Sequence, residues 1–219
     1  MSADLLLMLL ADARLPTAGH TQSAGLEPAI AHGLIAAEIP GYCRTRLSTV
    51  TTVEAATAVV AARALAAGPA DLRAIEAAWA ARTPSPAMRA TSRTLARGLT
   101  RLAGRLWPGV RDSVAAMAAP CRAVVLGAIA ADIGLPPLQL ARLVGYDDVQ
   151  TVVAAALKLL PMDPVDATEW AWRLVPDIDA LAERVAHLTE PDDIPAPSAP
   201  QIEQWAEAHA RATRRLFSA

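Results

Sequence analysis

Residues 86–106 read PAMRATSRTLARGLTRLAGRL, and this stretch decides the fold class. Met88, Leu95, Leu99, Leu102 and Leu106 follow one another at steps of 7, 4, 3 and 4, the spacing of one buried helical face. Arg89, Arg93, Arg97, Arg101 and Arg105 fall every four residues along the same stretch. A step of four drifts ~40° per repeat, so the arginines form a slanted basic ridge opposite the leucines. The ridge has two readings. It is a solvated face whose stems pack on neighbours, or Arg93, Arg97 and Arg101 dock an acidic partner or a symmetry mate.

Proline and glycine punctuate the chain on either side. Thr83-Pro84-Ser85-Pro86 is a connector and Trp107-Pro108-Gly109 a stop. Helices are expected over 3–13, from Ser23 to a C′ glycine at Gly33, over 41–67 with a break at Thr49–Thr52, and over 70–81. Further helices are expected at 113–134, 138–145 and 147–160, the last two divided by Gly145. Asp163-Pro164 reads as an N-cap followed by proline at the first helical position; that helix reaches Val175, and another runs to His187. The architecture expected is all-α, a single globular bundle of about ten helices. Residues 1–188 form its helical core, and 189–219 a proline-rich linker and C-terminal helix or tail of the same domain. Four prolines in 189–200 suggest an extended linker that holds the terminal helix away from the core, with Ser198 and Gln201 as a capping box. That helix should bury Ile202, Trp205, Ala206 and His209. Leu6, Leu9, Leu95, Leu99, Leu102, Val125 and Leu157 are expected inside the bundle.

Composition agrees. The 219 residues include 51 Ala and 27 Leu against one Phe and two Tyr, a mixture that favours helix over strand. A net charge of −2 offers no global attraction to nucleic acid or an acidic membrane. Lys158 is the only lysine beside 19 arginines, a bias that fits a GC-rich genome. The run Leu5–Leu10 before Ala11-Asp12-Ala13 imitates a secretory segment. It carries Asp4 and no preceding Lys or Arg, so it is expected to be a buried first helix. Cys43 and Cys121 stand alone, without a CxxC, and are read as buried thiols of a soluble, cytoplasmic protein.

Catalytic signatures are absent: no GxSxG, no HExxH and no P-loop. His20, His32, His187 and His209 are dispersed, so neither a metal site nor a cofactor is expected. Asp147-Asp148 and Asp192-Asp193 are adjacent pairs whose side chains diverge, and they read as solvated turns.

A second stretch is Leu15-Pro16-Thr17-Ala18-Gly19-His20-Thr21-Gln22-Ser23-Ala24-Gly25-Leu26-Glu27. Its small residues let backbone approach another surface closely, and a generic helix–loop–helix connection explains them equally. Leu-Pro-x-x-Gly-x-x-x-Ser-x-Gly-Leu-Glu after a leucine-rich helix resembles the opening of the urease accessory UreF family. The likeness continues through Ala81-Arg82-Thr83-Pro84, Thr91-Ser92-Arg93 to Gly98, Arg101 and Leu102, Val124-Val125-Leu126-Gly127 and Ala156-Leu157-Lys158-Leu159-Leu160-Pro161, and closes with Arg215-Leu216-Phe217-Ser218. The sequence departs from the family pattern at Ala18, His20, Ala96, Cys121 and Met162-Asp163-Pro164.

The resemblance implies an all-α, non-enzymatic scaffold, dimeric, that binds the accessory protein UreD (UreH in some species) and recruits the GTPase UreG to deliver nickel to apo-urease. It implies docking roles for Gly19, Ser23, Gly25 and Glu27 and for the C-terminal residues Arg214, Arg215, Leu216 and Phe217, with Lys158 in communication with the GTPase. The rival reading is a helical regulator binding DNA or a small ligand. It would need a basic recognition helix, for which the arginine ridge is the only candidate.

Overall fold

Alanine-rich helices pack closely because their faces carry no bulk, and the bundle is built on that property. In the computed structural model, residues 3–17 and 19–217 are described, the side chains of Ala3 and His20 excepted. Ala18 of the second stretch and Ser218 of the closing motif lie outside them. Twelve α-helices are present among the described residues: α1 Ala3–Leu10, α2 Leu26–Ala31, α3 Ile39–Ser48, α4 Val50–Ala67, α5 Arg73–Ala81, α6 Pro86–Leu106, α7 Pro108–Val114, α8 Arg122–Ile133, α9 Pro137–Leu159, α10 Pro164–Arg173, α11 Val175–Val185 and α12 Pro200–Arg211. Short 3₁₀ turns sit at Gly19–Thr21, Ala36–Glu38 and Pro191–Asp193, and no strand occurs among the described residues.

The centre is α4, buried all round at Thr51–Val53 and Ala55–Ala62. A helix apolar on every side belongs inside a bundle. The segment Ala36–Ala67 is long and apolar enough by length and composition to cross a membrane, yet most of it is interior. It packs chiefly on α8, whose residues Ala123–Ala130 are all buried, and on α9. At Gly127 a Cβ would lie 2.6 Å from the Ala58 carbonyl oxygen and from Ala61 Cβ, so this crossing depends on the missing side chain. The break before α4 falls at Thr49 (φ −125°, ψ −97°), inside the expected window, and Thr52 Oγ1 donates to the Leu47 carbonyl there.

Several expected boundaries move. The 113–134 helix is two helices, α7 and α8, parted at 115–121. Pro108 opens α7 early, and Pro120 removes a backbone donor and restricts Ala119. Conversely α9 runs unbroken through Gly145. A Cβ there would meet Ile178 Cγ2 at 3.0 Å, so this glycine admits α11 rather than ending a helix.

The buried face of α6 is also displaced. Ser92, Ala96, Leu99 and Ala103 face the core, Leu95 and Leu102 are half-buried, and Leu106 is 48% exposed. Close packing selects the small residues, and the leucines flank the seam. Leu6, Leu99 and Val125 are buried as expected, whereas Leu9 and Leu157 are each 40% exposed.

The segment 189–199 does not hold α12 away from the core. Ile194 and Ala199 are buried, and the Arg82 guanidinium donates to the carbonyls of Ile194 (2.5 Å) and Asp192 (3.3 Å). The Ser198–Gln201 capping box does not form: Ala199 is the N-cap, Pro200 sets the first turn, and Glu203 accepts from the Ala199 amide at 3.4 Å. The helix α12 lies against α6 and α2. Ile202 and His209 are buried there, while Trp205 and Ala206 are half-buried. Glu207 of α12 accepts from Ser85 Oγ (2.5 Å) and the Ala87 amide (2.8 Å), capping the first turn of α6. Those donors, Ser85 before Ala87, hold the Glu207 carboxyl below its ordinary pKa.

Candidate functional site

The segment between α1 and α2 must cross α6 closely. At Gly98 a Cβ would lie 3.1–3.2 Å from the backbone of Thr17, so glycine there fixes how near the loop can come. The loop then makes a 3₁₀ turn from Gly19 and reaches Ser23, which is fully buried. Gly25 precedes α2 with φ +78°, a left-handed conformation that glycine adopts without strain. A Cβ on it would meet the Tyr42 hydroxyl at 2.8 Å, and that hydroxyl donates to the Ala24 carbonyl at 2.6 Å. Burial pushes the Tyr42 phenol up to about 12, so it stays a donor at all ordinary pH.

These constraints aim Glu27. Its amide donates to Ser23 Oγ at 3.4 Å, and its carboxylate receives the far end of the chain. Oε1 accepts from the Leu216 amide (2.6 Å); Oε2 accepts from the Phe217 amide (2.9 Å) and lies 3.0 Å from His209 Nε2. Burial alone would raise the Glu27 pKa, but the Leu216 and Phe217 amides and His209 outweigh it and hold the carboxyl below its ordinary value. Phe217 is buried, with Lys158 Nζ 5.2 Å above its ring centroid. Leu216 is 64% exposed, and Arg214 and Arg215 are exposed beside it. Glu27, Lys158, Leu216 and Phe217, drawn from three distant stretches, therefore form one cluster. Gly19, Ser23 and Gly25 shape the loop that presents it.

The arginine ridge is elsewhere and divides in two. Arg89 donates to the carbonyls of Thr83 and Pro84, and Arg93 reaches Glu76 Oε1 at 3.4 Å with its guanidinium 5.7 Å over the Trp79 ring. Those two pack. Arg97, bonded to Thr94 Oγ1, and Arg101 and Arg105 are exposed.

Behind the cluster lies a set of partly buried charges that the sequence reading missed. Asp147 and Asp148 are not solvated turn residues; they sit within α9, about 100° apart on the helix. Asp148 takes two bonds from the buried Arg46 of α3 (2.6 and 2.9 Å), and Asp147 takes one from Arg122 of α8 (3.0 Å). Glu54 of α4 accepts from Trp79 Nε1 at 2.6 Å, and burial raises its pKa. Glu76 joins Arg93 to the Cys121 amide (2.8 Å) at the start of α8. Cys43 and Cys121 are free and buried, their thiols pushed up by burial, to about 12 for Cys43. A continuous α9 was the signal that could have revealed the aspartates, since neighbouring residues then face two different helices. Among the described residues no cluster of three or more His, Cys, Asp or Glu is arranged to hold a metal ion.

Comparison with known proteins adds a second line. The UreF family profile matches residues 35–175. Urease accessory protein UreF of Mycobacterium sp. (strain JLS) is 38% identical over 214 residues, 97% of each chain. The protein of that name from Mycolicibacterium vanbaalenii is 36% identical over the whole of both chains, and that from Mycobacterium tuberculosis (strain ATCC 25177 / H37Ra) is 34% identical over 99% of both.

Proposed function

Because the chain belongs to the UreF family of urease accessory proteins, we propose that it acts as a non-enzymatic scaffold bridging a UreD/UreH-like protein and a UreG-like GTPase while nickel is inserted into apo-urease. In this reading it works in the cytoplasm as a homodimer. Nickel is cargo of the assembly.

The observation that carries the reading is the convergence of Glu27, Lys158 and the C-terminal residues. A scaffold needs a preformed face rather than a reactive centre. Here a buried aromatic anchor, Phe217, sets an exposed Leu216 and two exposed arginines on the surface beside the cluster. Apolar side chains ringed by charge are the usual anatomy of a docking patch. Gly19, Ser23, Gly25 and Glu27 act through this face by holding its backing. Arg97 and Arg101 supply a second, basic surface suited to an acidic partner, and Arg93 contributes by fixing α6.

Co-expression with UreD-like and UreG-like partners tests the reading. Deleting Arg211–Ala219 should abolish co-purification of the UreD-like protein while circular dichroism of the remaining chain stays helical. Full recovery of the partner by the truncated chain would place the interface on the bundle and remove the tail from it.

A further inference from the structure

The partly buried charges form the floor of an open cleft of about 450 Å³. Its rim includes the exposed Ala90 and Thr94 of α6 and Ala210 of α12. Helical steps of three and four build the floor: Thr51 and Glu54 lie one turn apart on α4, and Asp147 and Thr151 one turn apart on α9. Arg122 joins them from the start of α8, where its amide donates to Ser92 Oγ at 3.0 Å. Met88 and Leu95 of α6 and Ile202 of α12 add apolar lining. A concave space with apolar walls and a few convergent polar groups is the usual form of a small-ligand site.

The polar groups of the floor do not use one another up. Arg46 is spent on Asp148 in two bonds. Arg122 reaches only Oδ2 of Asp147, and Trp79 only Oε1 of Glu54. Among the described residues nothing donates to Asp147 Oδ1 or Glu54 Oε2. Thr51 is 1% exposed, and its hydroxyl has no partner within the protein. A buried polar group left unpaired in a folded chain calls for an explanation.

The floor also carries an excess of negative charge. Glu54, Asp147 and Asp148 stand against Arg46 and Arg122 alone. Arg215 meets the cleft from its exposed edge, and His209 is taken by Glu27. Burial raises the Glu54 pKa, as for a carboxyl short of a counter-charge. Among the described residues no three His, Cys, Asp or Glu are placed to hold a metal ion, so a fitting cation brings its own N–H donors.

We propose that this cleft binds a compact organic cation, a guanidinium or primary ammonium on a short aliphatic stem. The charged head donates to Glu54 Oε2, with Asp147 and Thr51 accepting its remaining N–H groups, and the stem lies along Met88, Leu95 and Ile202. The proposal stands apart from the scaffold reading, since binding a small cation requires no partner.

Titration of the full chain with 1-butylguanidinium, followed by amide resonances and calorimetry, tests it. The amides of Thr51, Glu54 and Asp147 should respond together, and neutral butyramide should bind about tenfold more weakly or not at all, since charge-assisted bonds are the stronger ones. Glu54→Gln keeps the bond to Trp79 and should weaken butylguanidinium about tenfold. Thr51→Val keeps the shape and should weaken it about threefold. Acetyl-Gly-Arg-Gly-amide, which carries the same head on a backbone, separates two sources of the cation. Equal affinity for it would assign the site to an arginine side chain of a partner, and its exclusion to a free small molecule. Equal binding of butylguanidinium and butyramide would overturn the proposal, as would equal affinity of wild type and E54Q for the cation. If circular dichroism shows E54Q unfolded, T51V decides in its place, and an unchanged affinity there overturns the proposal.

Discussion

The ammonium of Lys158 stands 5.2 Å over the ring of Phe217, so the single lysine of the chain holds its single phenylalanine. A cation over an aromatic face is worth about 0.5–2 kcal/mol, depending on how far it is desolvated. Lys158→Ala and Phe217→Ala should each raise amide exchange at Leu216 and Phe217 or their replacements. In combination they should cost less than the sum of the two, with a coupling of about 0.5–2 kcal/mol. Strict additivity would mean that the two side chains act separately.

The arginine ridge should divide under mutation as it divides in space. Arg93→Gln strips Glu76 of its cationic partner beside the Trp79 ring, leaving it only the Cys121 amide, and should lower stability by about 1–3 kcal/mol in urea denaturation. Arg97→Gln and Arg101→Gln change exposed positions and should stay within about 0.5 kcal/mol of the parent. If the exposed pair docks an acidic partner, the double variant should weaken complex formation at low salt and differ little at high salt.

The contrast between Arg93 and Arg97 also shows how far the sequence could be read. Spacing by four residues identified the helix, and the flanking prolines its limits, because both depend only on local geometry. It could not say which face of α6 meets the core. Leu95, Leu102 and Leu106 look like core residues by hydrophobicity, but Ser92, Ala96 and Ala103 are small enough for α8 to approach, and Gly98 admits the Thr17 loop. Gly145 is the same lesson in reverse: a helix breaker by propensity serves as a packing contact for Ile178. The motif residues Glu27, Lys158 and Phe217 were legible one by one. Their meeting was not, since it joins positions up to 190 apart in the chain through backbone amides that no side-chain pattern encodes.

Gly98 should be intolerant of even one added carbon. Gly98→Ala places a methyl group 3.1–3.2 Å from the Thr17 backbone, which has no flexible end to yield. Overpacking of this kind costs about 1–3 kcal/mol. Proteolysis should show the Thr17 loop loosened first, with α4 and α8 still protected. An unchanged melting temperature and cleavage pattern would mean that the loop shifts freely.

Glu54 offers a stabilising change. Burial is the largest influence on its carboxyl and raises the pKa; the Trp79 bond opposes it. The folded chain therefore keeps a proton that the unfolded chain has released, and stability falls as pH rises from the ordinary carboxylate range through the raised value. Glu54→Gln keeps an oxygen for Trp79 Nε1 and removes the ionisation. Urea midpoints for wild type and variant should be close at pH 4 and should separate in favour of the variant by pH 8. A variant less stable at pH 8 than at pH 4, relative to wild type, would contradict this.

Glu27 has the opposite sign. Burial pushes its pKa up, but the Leu216 and Phe217 amides and His209 outweigh burial, so the folded value lies below the ordinary 4.5. This contact therefore contributes fully above the unfolded value and is lost as pH falls through the depressed one. Among the described residues, the groups able to carry charge at this corner are Glu27 itself, His209 of α12, which faces the carboxylate, Lys158 of α9, which faces the Phe217 ring, and the exposed Arg214 and Arg215 beside Leu216. Only the carboxylate accepts the two amides, so its protonation is the event that weakens both bonds, while the buried Phe217 ring stays anchored. The amide resonances of Leu216 and Phe217 should shift together on acidification, with a common inflection below 4.5, and Glu27→Gln should abolish that inflection. Resonances of α12 near Glu207 report the neighbouring contact with Ser85 and Ala87 and serve as the control. A shared inflection at or above the ordinary carboxylate value would mean that the amides do not stabilise the charged form. Two separate inflections would mean that Leu216 and Phe217 answer to different groups and that Glu27 is not their common acceptor.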